Sequence, residues 1–210
     1  MPVDPNQHDR FVLRQHLRPM VNRYEFAVPG PGEGDAQEAA EQPVCFVEQK
    51  RFKFKEDIRF YADQSKQTEI MRIKARQRFD PRARYDVTDA TGEKIGEIQK
   101  VFGQSLIRST YAIFDATGQE VARAREANLI TALVRRAVGF VPYLGDFADF
   151  LPFPYDFQFL RGDEEIGINR RRRWKLRDVY DIDMTADTGR VLDRRLVLAI
   201  TVGMDALQAR

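Results

Sequence analysis

Near its C-terminus the chain carries Leu196-Val-Leu-Ala-Ile-Thr-Val-Gly-Met204, a run that is apolar on every side if helical. Such a helix has no face for water and must be enclosed by protein or by lipid. Length separates the two. Even continued to Leu207, the helix spans only about 18 Å at ~1.5 Å per residue, against a hydrocarbon core of ~30 Å. Arg194 and Arg195 precede the run and Asp205 interrupts its end. The segment is therefore expected inside a protein shell, which the rest of the chain must supply.

That shell reads as β. From Arg51 to Tyr61, Phe52, Phe54, Ile58 and Phe60 alternate with Arg51, Lys53, Lys55, Asp57 and Arg59. A period of two with one apolar face is the pattern of a half-buried strand. Glu69 to Arg78 repeats it, with Met71, Ile73 and Ala75 inward and Arg72, Lys74, Arg76 and Arg78 outward. An internal repeat comes next: Tyr85-Asp-Val-Thr-Asp-Ala-Thr-Gly-Glu is echoed by Tyr111-Ala-Ile-Phe-Asp-Ala-Thr-Gly-Gln. Weaker copies begin at Tyr155 and Tyr180. Each predicts strand, tight turn, strand, with Gly92, Gly118, Gly162 and Gly189 supplying a positive φ. Pro29 to Gln42 has linker composition and is expected to join two strands. Its glycines lack the spacing of a phosphate loop.

A chain of 210 residues buries roughly 70% of its unfolded surface and needs no staple. Residues 1–10 are polar and are expected as a flexible tail, leaving 11–210 as a single domain. No apolar core marks a signal peptide there. Cys45 is the lone cysteine, which excludes an internal disulfide or a cysteine metal cluster and favours a reducing, cytoplasmic setting. Its apolar neighbours Val44 and Phe46 point to a buried, inert thiol.

The net charge of +2 conceals segregation. Lys50 to Arg84 holds twelve basic residues against five acidic, and Arg161 to Arg177 seven against three. Segregated charge can hold an anionic partner although the total is small. The segment Asn128–Phe153 is apolar and irregular, with thirteen large apolar residues in 26. It is expected to pack over a barrel opening or to meet a protein partner.

A hairpin chain closed by one buried helix resembles the tubby-like superfamily, which includes tubby C-terminal domains, LURP-one-related proteins and phospholipid scramblases. Three stretches carry the likeness: Tyr85-Asp-Val-Thr-Asp-Ala-Thr-Gly-Glu-Lys-Ile-Gly-Glu-Ile, Lys100-Val-Phe with Ser105-Leu-Ile-Arg-Ser-Thr, and Leu192 to Leu207. The LURP-one-related branch is the nearest. The resemblance covers about Phe11 to Leu207 and implies a closed antiparallel β-barrel of about twelve strands around the C-terminal helix. It also implies a non-catalytic module that binds anionic membrane phospholipid or a protein partner. A lipid-handling protein of scramblase type is the alternative. Ile73 to Tyr85 is similar to the basic hairpin with which tubby domains hold phosphoinositides, although Gln77, Phe79, Asp80 and Pro81 interrupt it. Asp181, Asp183 and Asp187 stand where scramblases carry a calcium segment. Read as an EF-hand loop from Asp181, they leave Ala186 and Leu192 where Gly and Glu are required, so no metal is expected.

No enzyme chemistry emerges. His8 and His16 lack a nearby nucleophile or ligand set, and the carboxylates mostly flank Lys or Arg. No cofactor is expected. Ser105, Arg108 and Ser109 read as structural. Arg170-Arg-Arg-Arg-Trp-Lys-Leu-Arg177 reads as a strand whose alternate arginines pair with Glu164, Glu165 or Asp178, or as a phosphate-neutralising patch. No helix-turn-helix, zinc finger or RNP-like motif accompanies it, so nucleic acid is not the expected partner. The expected lipid-binding residues are Lys53, Lys55, Arg72, Lys74, Arg76 and Arg78, on a basic band of a protein peripheral at the membrane.

Overall fold

The structure, a computed structural model, describes residues 3–17, 21–31, 40–50, 57–76, 84–101, 109–127, 156–172 and 178–208. Among them twelve strands succeed one another: β1 (Arg10–Leu17), β2 (Val21–Val28), β3 (Gln42–Lys50), β4 (Asp57–Tyr61), β5 (Glu69–Ala75), β6 (Arg84–Asp89), β7 (Lys94–Lys100), β8 (Thr110–Asp115), β9 (Glu120–Glu126), β10 (Phe157–Arg161), β11 (Glu164–Arg171) and β12 (Asp178–Asp183). Each pairs antiparallel with its neighbours in sequence. β1 and β12 close the barrel, with Arg10 opposite Asp183 and Leu13 opposite Tyr180. Closure leaves no strand edge open.

The barrel encloses α1 (Arg194–Gln208). Leu196, Val197, Leu198, Ala199 and Ile200 are each at most 1% exposed. Five successive helical residues point in every direction, so wall surrounds the helix on all sides. The inward faces of the strands meet it, with Phe11, Tyr24, Phe26, Phe60, Ile98, Ile113, Phe159 and Ile166 in one continuous core. Wall and helix approach closely at Gly96 of β7, where an added Cβ would stand 2.9 Å from Leu196 Cδ1.

The hairpin repeat is present three times, and in the first two copies a recurrent aspartate shapes the turn. Asp89 Oδ1 accepts from the backbone N–H groups of Thr91 and Glu93 and from the Thr91 hydroxyl. Asp115 does the same for Thr117 and Gln119. Gly92 and Gly118 come next at φ 88° and 87°, and Gly162 turns β10 into β11 at φ 60°. The fourth copy departs from expectation. Asp183 still accepts from the Thr185 N–H and hydroxyl, but the chain then enters α1 with no further strand. The positive φ falls on Arg190, at 48°, and not on Gly189.

Two other expectations change. The reversal between antiparallel β3 and β4 falls between Lys50 and Asp57, inside the span whose alternation suggested one strand. In the described part of that span the alternation holds: Ile58 and Phe60 are buried, Asp57 and Arg59 exposed. Phe52 and Phe54 lie outside the described residues. The N-terminal stretch is docked where polar composition suggested a free tail. Pro5–Gln7 form a 3-10 turn with Pro5 buried, and Asn6 and Asp9 bond to the start of α1. Composition alone cannot separate solvated polar groups from those that cap a helix.

Candidate functional site

Two charged constellations stand out, one at the start of the helix and one on the barrel wall. The first surrounds the start of α1. Arg194 is 1% exposed and Asp187 is also 1% exposed. The Arg194 guanidinium donates to Asp187 Oδ2 at 2.7 Å, to Asp9 Oδ1 at 2.6 Å and to the Leu192 carbonyl at 2.8 Å. Asp187 also accepts from the N–H groups of Val191 and Leu192 and from Arg161. Burial alone would raise the Asp187 carboxyl, but the Arg194 and backbone bonds outweigh it and hold it below the ordinary range. Asn6 Oδ1 takes the Arg194 N–H and Asp193 Oδ1 the Arg195 N–H, so donors of the first turn are capped. This cluster locks the helix into its shell. Most of its acceptors and donors are turned on each other, with Arg161 Nε buried and left over.

The second lies on the outer wall of β5–β7. Glu97, 3% exposed, receives Arg76 at 2.6 Å, Arg84 at 3.1 Å and Lys94. Burial pushes its carboxyl up and these cations pull it lower, with the net below its usual value. Arg76 also grips Asp86 in a fork, at 2.6 Å for the shortest contact. Arg84 lies 4.8 Å from the centre of the Phe114 ring.

Of the expected lipid-binding residues, Arg72 and Lys74 fall on the outward side of β5 and Arg76 follows directly after it. Arg72 is tied to Glu69 at 3.0 Å and to Asp57 at 3.4 Å, and Arg76 is committed to Asp86 and Glu97. Lys74 is exposed and has no ion pair among the described residues. The alternation could not show this pairing, because the partners include carboxylates of β4, β6 and β7. Lys53, Lys55, Arg78 and the whole of Asn128–Phe153 lie outside the described residues, as do Ser105 and Arg108. Ser109 donates its N–H to Glu126.

Other candidates resolve into structure. Arg172 pairs with Asp181 at 2.7 Å, where Glu164, Glu165 or Asp178 was the expected partner. β11 runs beside β12 with Arg170 opposite Asp181, which brings that carboxylate within reach. Asp181, Asp183 and Asp187 do not converge on a cation, since each turns to a different arginine: Arg172, Arg10 and Arg194. Among the described residues no three His, Cys, Asp or Glu side chains are placed to hold a metal. His16 sits on β1, 3.7 Å from Glu25. Cys45 is buried and desolvation raises its thiol far above the usual range, which leaves it without thiolate character.

Leu196 to Ile200 fill the lumen at their level, each at most 1% exposed. A cavity of about 20 Å³ lies beside Gln15, Asn169, Thr201 and Met204, room for one water. Asn169 Oδ1 is buried there without a hydrogen-bond partner. No described helix is long and apolar enough to cross a membrane.

A closed antiparallel barrel filled by its own C-terminal helix defines the class of protein. A protein-family model described as LURP-one-related matches residues 44–205, and the chain belongs to the LURP-one-related family. No curated protein and no solved structure matches it significantly.

Proposed function

We propose that the chain is a non-catalytic binding module that attaches from the cytoplasm to the anionic face of a membrane. The observation that carries this reading is the occupied lumen. With Leu196 to Ile200 filling the barrel, the module has its outer surface to offer, and not a pocket. Lys74 is the most available of the described candidate cations, since Arg72 and Arg76 are held by carboxylates on the wall. Each basic residue near an anionic leaflet contributes about 1 kcal/mol, so a few acting together give measurable binding without a pocket.

Sedimentation with vesicles tests the reading. Binding is expected to vesicles rich in phosphatidylserine, to fall in high salt and to be absent with neutral vesicles. Lys74→Glu weakens it without unfolding the barrel, whereas Arg76→Glu also disturbs the Glu97 cluster and needs a stability control. Equal binding to neutral and acidic vesicles would remove the electrostatic mechanism. A scramblase-type role would instead need an apolar route for acyl chains, for which Asn128–Phe153, outside the described residues, is the candidate segment.

A further inference from the structure

The strands sort the charges of this chain along the barrel axis. α1 starts at the end where Asn6, Asp9 and Asp187 lie and finishes at the other, where Thr201 and Met204 adjoin Gln15, Tyr24 and Asn169. Let the latter half comprise 14–17, 21–24, 46–50, 57–59, 72–76, 84–87, 97–101, 109–112, 123–127, 156–159, 168–172, 178–180 and 204–208. There, fourteen Lys and Arg stand against eight Asp and Glu, a net of +6. In the remaining described residues seven Lys and Arg stand against seventeen Asp and Glu, a net of −10. Charges paired within one half cancel in those totals. Pairs such as Arg72–Glu69 and Arg14–Glu41 join the halves at mid-height and soften the separation without removing it.

The macrodipole of α1 runs the other way but amounts to only about half a charge at each end.

We propose that the barrel meets an acidic bilayer leaflet end-on, with the end where α1 finishes against the headgroups and the acidic end away from them. This rests on the leaflet-binding reading and adds its geometry. The fifteen residues of α1 make the two ends about 22 Å apart at ~1.5 Å per residue. That is more than two Debye lengths of ~8 Å at physiological salt. The acidic end is therefore screened from the leaflet when the barrel stands upright, and is brought against it when the barrel lies on its side or inverts. A net charge near zero thus becomes an orienting device.

Single-cysteine labelling tests the orientation. The native Cys45 is buried and does not compete for the label. Ala127→Cys places a fluorophore at the basic end, and Ala116→Cys and Ala90→Cys place it in exposed turns at the acidic end. On phosphatidylserine–phosphatidylcholine vesicles carrying a headgroup nitroxide, the label at 127 is expected to be quenched and those at 116 and 90 spared. Quenching at 116 or 90, or equal quenching at all three, overturns the orientation and leaves leaflet binding standing. No binding to these vesicles removes the leaflet reading and the orientation together. A second arm uses Glu93→Lys with Asp163→Lys, two exposed acidic-end residues that form no described ion pair. End-on binding predicts vesicle affinity within about twofold of the parent at physiological salt, because those charges stand beyond the screening length. A large gain in affinity instead means that net charge drives binding, and sinks the proposal.

Discussion

Arg194 and Asp187 face each other at 2.7 Å with side chains 1% and 0% exposed, and they join the first turn of α1 to the turn that precedes it. Removing one partner of such a pair strands the other without solvent, which costs ~3–5 kcal/mol. Arg194→Ala should therefore lower the unfolding free energy by that amount in urea titrations. Arg195→Ala, which loses the more exposed pair with Asp193, should cost less than about 1 kcal/mol. Equal effects would mean that the buried pair has no special weight.

The same carboxylates give the barrel an acid limit. Burial alone would raise Asp187 and Asp9, and the arginine bonds lower both below the ordinary value. A folded-state pKa below the unfolded one means that the unfolded chain takes up protons first on acidification. The stability they contribute is complete above the ordinary carboxylate range and is lost as the pH falls through it towards the folded values. Urea midpoints should stay level near neutrality and fall across that range. Glu97→Gln, which removes another depressed carboxylate, should flatten the fall. A midpoint independent of pH would contradict the assignment.

Gly96 should not tolerate a side chain. A Cβ there would lie 2.3 Å from the Phe114 carbonyl oxygen and 2.9 Å from Leu196 Cδ1. Overpacking of this kind typically costs ~1–3 kcal/mol, and the backbone contact gives little room to relax. Gly96→Ala is expected to lower the thermal midpoint, and to lower it by less in a Leu196→Ala background, where only the contact with the Phe114 carbonyl is left. An unchanged midpoint would show that the wall and the helix can draw apart at no cost.

Truncation after Leu192 tests the role of α1 as core. Leu196, Val197, Leu198, Ile200, Val202 and Met204 are all buried, and each is worth roughly 1.5–3 kcal/mol. Together with the void they leave, they exceed a typical domain stability of ~5–15 kcal/mol. The truncated chain should be insoluble. A folded, soluble product would place the stability in the wall alone.

Local patterns made much of this fold legible. The period of two in Ile58, Phe60, Met71 and Ile73 gave the inward faces of β4 and β5, and the Asp-Ala-Thr-Gly repeat gave two turns correctly. It misled at Asp183, because the aspartate–threonine bonds shape the first part of a turn and leave the path beyond it open. Arg194 was hidden for a different reason. Placed before an apolar run, an arginine resembles a flank, and nothing local shows that Asp9, 185 positions away, will share its burial. The candidate cations were visible one by one, but most of their carboxylate partners lie on other strands. The sign of each barrel end was equally out of reach, since it depends on where every strand turns.

Closure of β1 on β12 also dictates an order of events at the ribosome. The strand made first finds its second neighbour almost last, and the helix that fills the lumen is made after both. At ~5–20 residues per second, the roughly 180 residues from Arg10 to Arg194 take on the order of ten to forty seconds to emerge. Throughout that interval Phe11, Tyr24, Phe26 and Phe60 belong to a wall that has nothing yet to enclose. Hydrophobic collapse takes microseconds, so the nascent half-barrel has ample time to stick to itself or to a neighbour. Yield in the cell should therefore depend on holding chaperones more than the finished protein's stability suggests, and a substitution that delays α1 should reduce yield even where it leaves the folded barrel unharmed.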